Sequence, residues 1–63
     1  MNAQAVSVTK QEIQAAIAKL REAHEAASEG RVFQALSATR EAICLAQHAE
    51  GTLEDECPAK EAA

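Results

Sequence analysis

A chain of 63 residues with a net charge of -4 and a 48% hydrophobic share has room for one small domain and little core. Alanine dominates the apolar share, Phe33 is the one aromatic residue, and glycine and proline are sparse, a composition that favours helix. No apolar run is long enough to span a bilayer, and the opening MNAQAVSV has neither the basic start nor the apolar middle of a secretion signal, so a cytoplasmic protein without membrane attachment is expected.

The charge is unevenly placed. Residues 1–49 balance, with Lys10, Lys19, Arg21, Arg31 and Arg40 against Glu12, Glu22, Glu25, Glu29 and Glu41. Beyond them Glu50, Glu54, Asp55, Glu56 and Glu61 face only Lys60, so the imbalance belongs to the C-terminal end. Residues 52–63 are expected to form an acidic, disordered tail, and residues 1–8 a flexible N-terminal segment.

The first helix is expected over about residues 10–28. Thr9 stands three residues before Glu12, the spacing of a capping box, while Val8 and Ile13 occupy the positions of a hydrophobic staple. Ile13, Ile17, Leu20, His24 and Ala27, with Ala16 and Ala23 filling in, then form one apolar stripe of about 120°. Gln14, Arg21, Glu22 and Glu25 lie opposite, with Arg21 and Glu25 spaced to pair. His24 falls inside the stripe and reads as a boundary residue or an interface polar group. Gly30 can take the left-handed conformation that ends a helix, and the short connection returns the chain antiparallel beside itself.

The second helix is expected over about residues 31–50, with Gly51 as its stop, so the hairpin as a whole covers 9–51. Val32, Leu36 and Ile43 cluster on one side, with Phe33 and Cys44 beside them, and are assigned to packing against Ile13, Ile17 and Leu20. A band of Ala35, Ala38, Ala42, Leu45, Ala46 and Ala49 continues round the other side and is assigned to another chain. Only Gln34, Ser37, Glu41 and His48 remain as a polar strip, while Arg40 and Gln47 mark the edge between the two apolar regions. One neighbouring helix cannot cover so wide an arc. The expected fold is all-α, an antiparallel two-helix hairpin dimerising into a four-helix bundle, with a homodimer or another protein as partner.

Candidate chemistry is sparse. Cys44 and His48 are four apart, and an antiparallel register places His48 opposite Glu12, yet a fourth ligand is missing and no metal or cofactor is assigned. Cys44 reads instead as a small core residue, and Cys57 as a source of intermolecular disulfide. No phosphate loop, nucleophile motif or carboxylate pair is present, so the chain reads as a non-enzyme.

Gly30, Ala35 and Ala42 have the spacing that a tetratricopeptide repeat shows from its turn into its second helix, and residues 13–46 are about one repeat long. The large aromatic and Leu-Gly features of that family are missing, Thr39 replaces a large residue and no proline follows the second helix, which leaves general helix-pair geometry. In size and paired-hairpin outline the chain resembles the plasmid-encoded Rop protein, a resemblance that implies a dimeric RNA-binding protein. The neutral body, acidic tail and absence of stacking aromatics disfavour nucleic acid as partner. The leading expectation is a small regulatory or adaptor protein, an inhibitor or anti-activator of a phage, plasmid or bacterial regulatory system, that binds protein through the apolar face of the second helix. A structural subunit or small chaperone that needs a larger partner is the remaining alternative.

Overall fold

A computed structural model describes residues 3–56, which form two helices, α1 (Ala3–Ser28) and α2 (Val32–Glu56), packed antiparallel. The turn forms as its sequence predicts. Gly30 has a φ of 78°, Arg31 N–H donates to Ala26 O at 2.8 Å and Gly30 N–H donates to Ala27 O at 3.1 Å. These bonds form a Schellman motif, in which a left-handed glycine lets the last carbonyls of α1 find donors. Ala35 N–H then donates to Arg31 O, so Arg31 is the residue from which α2 starts.

Both helices run further than their end signals suggest. The first begins at Ala3, which places Thr9 inside it rather than at its cap, and most of residues 1–8 are helical rather than loose. The second passes through Gly51 to Glu56, so Gly51 is not a stop and the first part of the expected tail is ordered. The two extensions share a physical cause. They lie side by side at the open end of the hairpin, where each supplies the other's packing partner, and such tertiary contact outweighs a local cap or the roughly 1 kcal/mol cost of a helical glycine. Cys57 and the rest of the expected tail lie outside the described residues.

The seam between the helices is made of alanine. Thr9, Ala16, Ala23 and Ala26 of α1 are buried, as are Ala38, Ala42 and Ala49 of α2. Half-buried Glu12 and Lys19 complete a run of alternating three- and four-residue steps on α1, and Ala35, Leu45, Thr52 and Glu56 do the same on α2. That is the repeat of a coiled-coil seam, here built from side chains small enough for close backbone approach.

This reverses the expected division of the apolar residues. Ile13, Ile17, Leu20, Val32, Phe33, Leu36 and Ile43, assigned to the intrachain core, are all exposed, from 41% at Ile13 to 86% at Phe33. Cys44 is exposed as well and is not a core residue. Ala38, Ala42 and Ala49, assigned to another chain, are buried within this one. The buried alanines lie between Ala16 and Ala26 of α1 and between Ala38 and Ala49 of α2, while Thr9, Glu12, Thr52 and Glu56 continue the seam at the open end, where His48 hydrogen-bonds Glu12. The small side chains of the alanines permit an approach of the two helices that the larger residues would prevent. The resulting molecule measures 44 × 25 × 12 Å, and its thickness is that of a single α-helix.

Candidate interaction surface

The two faces of this one-layer slab differ in chemistry. On one, Ile13, Ile17 and Leu20 of α1 meet Ala46 and Leu53 of α2 across a groove of about 470 Å³ floored by Ala16 and Ala49. Glu50 and Glu54 stand at its open end. Leu36 and Ile43, seven residues apart on α2, extend the apolar surface towards the turn, and Val6 extends it towards the N-terminus. Both helices therefore turn a second strip of alternating three- and four-residue steps to the same side, next to the alanine strip that joins them.

The opposite face is polar. Lys19 Nζ lies 3.2 Å from Glu41 and 3.6 Å from Glu22. The hydrogen bond to Glu41, with the charges of Glu22 and Glu41, raises the Lys19 pKa above its ordinary value. Towards the turn, Glu22, Glu25, Arg31, Gln34, Ser37 and Glu41 line a shallow depression. Arg31 is itself engaged by Glu29 at 2.6 Å and by Gln34 at 2.8 Å. Near the open end His48 Nδ1 hydrogen-bonds Glu12 Oε2, which fixes the antiparallel register that the sequence implies. The other oxygen of Glu12 and the hydroxyl of Thr9, one turn earlier, are buried without a hydrogen-bond partner among the described residues. Arg21 and Glu25 form no ion pair among the described residues; Glu22 pairs with Lys19 instead.

Of the residues assigned from sequence to a partner surface, Ala46 and Ala49 line the apolar groove, the latter as its floor. Ala35 and Leu45 are half-buried members of the seam. His24 is exposed on the α1 strip that carries Ile13, Ile17 and Leu20, and Arg40 is exposed one helical turn from Leu36 and Ile43. With Gly51 as a helix stop, Leu53 is expected only to fold back over a helix end, whereas it lines the groove from within α2; its spacing of seven from Ala46 is the signal that identifies it. Although Glu12 and His48 meet, no group of three or more potential metal ligands occurs among the described residues. No helix among them is long and apolar enough to cross a membrane. Comparison with protein-family models, with curated proteins and with solved structures finds no match to this chain.

Proposed function

We propose that this chain is a small, non-enzymatic protein-binding module of the regulatory or adaptor kind, whose working surface is the apolar face built jointly by α1 and α2. Its first occupant is a second copy, closing a four-helix bundle. The observation that carries this reading is the exposure of Ile13, Ile17, Leu20, Leu36 and Ile43 on one side of a slab a single helix thick. Domains bury such faces between two layers, and a contiguous exposed patch of this kind marks an association surface. A second hairpin supplies the missing layer with the same repeat.

The polar face gives little support to a nucleic-acid reading. Lys19 and Arg31 are each held by carboxylates of the same chain, and Glu22, Glu25 and Glu41 dominate the surface between them. Phosphate binding draws on a cluster of positive charge, and on this face carboxylates surround the cations.

Sedimentation equilibrium of the full chain, with helicity followed by circular dichroism, tests the proposal. A helical species of twice the chain mass is expected. Ile17→Glu, which places a charge in the centre of the apolar face and leaves the alanine seam alone, should abolish that species. A helical monomer that is indifferent to Ile17→Glu contradicts the reading, and an unfolded monomer favours an obligate larger partner.

A further inference from the structure

Resting on the self-association reading above, we infer that the two copies stack head to tail, the turn of one over the open end of the other, with Arg40 of each copy paired to Glu54 of the other. A slab that stacks face to face with its copy has two symmetric choices. A two-fold axis running across the helices lays α1 on α1 and α2 on α2 with the turns at opposite ends, whereas one along the helices lays α1 on α2 with the turns together. The charges on the outer edges of the apolar face distinguish them.

On α2 that edge carries Arg40, Gln47 and Glu54, each seven residues from the next and so on one side of the helix. Read in opposite directions the series is self-complementary about Gln47. Arg40 meets Glu54 of the second copy, Glu54 meets Arg40, and Gln47 meets itself. Neither Arg40 nor Glu54 has an ion-pair partner among the described residues, in contrast to Lys19 and Arg31. On α1 the corresponding edge carries Ser7, Gln14 and Arg21.

The register fixes what each choice brings together. Glu12 opposite His48 and Lys19 opposite Glu41 place Gln47 level with Ile13, and Arg21 level with Thr39, next to Arg40. A two-fold axis at Gln47 therefore also passes Ile13, about which Val6 and Leu20 are symmetric at seven residues either way. Ile13 then packs on its own copy and Val6 on Leu20 of the second copy, so the apolar and charged series share one axis. The alternative stacking sets Arg21 beside Arg40 of the second copy, twice by symmetry, and leaves Glu54 beside uncharged Ser7.

The available surface is sufficient. About an axis at Ile13 the overlap runs over residues 3–23 of α1, about 30 Å at the helical rise, and across a width of 25 Å this gives about 750 Å² per partner, within the roughly 600–1,000 Å² of a standard-size interface. Burial of the large apolar side chains provides the attraction, while the edge charges select the orientation and suppress the wrong one.

Charge reversal at the edge, read as the dimer dissociation constant at low ionic strength, tests the arrangement. Arg40→Glu and Glu54→Arg should each weaken assembly about three- to tenfold, and the double variant should recover most of the loss, because the reversed charges again face each other. Tightening by Arg40→Glu would show relief from Arg21 and overturn the proposal in favour of stacked turns; single variants without effect, or a double variant without recovery, would also overturn it. As a measurement independent of affinity, a spin label on Glu29→Cys, with Cys44→Ser and Cys57→Ser, should give a dipolar distance of roughly 50 Å from the helical rise on either side of the axis. A distance of roughly 15 Å, the separation of neighbouring helices plus the label, overturns head-to-tail stacking while leaving self-association intact. Absence of any dimer in the unmodified chain defeats the underlying reading and this inference together.

Discussion

Gly30 and Gly51 look alike as sequence signals, since each follows a run of helical periodicity, yet only Gly30 departs from it. Its φ of 78° is unfavourable for any residue with a side chain, and an added Cβ would meet nothing within 4 Å. Gly30→Ala should therefore lower stability by about 1 kcal/mol through backbone strain alone. Gly51 lies inside α2, also in open space. Gly51→Ala should raise stability by up to about 1 kcal/mol, the helix-propensity difference, where a helix stop would lose by the change. Denaturant titration of the two variants reads both signs. Lys19 makes a third prediction. Because Glu41 and Glu22 raise its pKa, its contribution is complete below the ordinary lysine pKa and is lost as pH rises through the raised value. The stability difference between the unmodified chain and Lys19→Met should be constant near neutrality and shrink only in strongly alkaline solution. Equilibrium unfolding at a series of pH values measures it.

Along each helix, periodicity determined what a linear reading could resolve. The turn at Gly30, the antiparallel return and the facing of Glu12 with His48 follow from local chemistry and short connection length, and all were legible. Helix ends were not, because Thr9 and Gly51 carry strong local signals that contact between α1 and α2 overrides. The choice of seam was equally hidden. In α2 the alanine band and the large residues are both continuous arcs, and residue size alone favours giving Val32, Leu36 and Ile43 to the nearer neighbour. What decides is the close approach that alanine permits from Ala16 to Ala26 and from Ala38 to Ala49, and that is a property of the pair of helices. Ala42, 2% exposed, is the residue on which this contrast can be tested. Ala42→Leu should destabilise the hairpin by about 1–3 kcal/mol through overpacking, whereas Ala46→Leu, on the open groove, should cost less or strengthen assembly. Thermal unfolding at fixed protein concentration distinguishes the two positions.

At the scale of the molecule, the proposed assembly makes a slab one helix thick into half of a two-layer structure. Its radius of gyration of 14.5 Å exceeds the roughly 11 Å of a globular chain of this length. The wide apolar surface was legible in the sequence, although it was placed on α2 alone; the structure distributes it over both helices and sets Glu50 and Glu54 at its end. The proposed assembly turns on which apolar contacts lie within a chain and which lie between chains. Isotope-filtered nuclear Overhauser spectroscopy on a mixture of labelled and unlabelled protein separates the two directly. Contacts of the Ala16, Ala23, Ala38 and Ala42 methyl groups across the helix pair should be intramolecular, and those among Ile13, Ile17 and Leu20 should include intermolecular partners. Intramolecular contact of Ile13 or Ile17 with Leu36 and Ile43, with the alanine methyl groups touching the other chain, would contradict it.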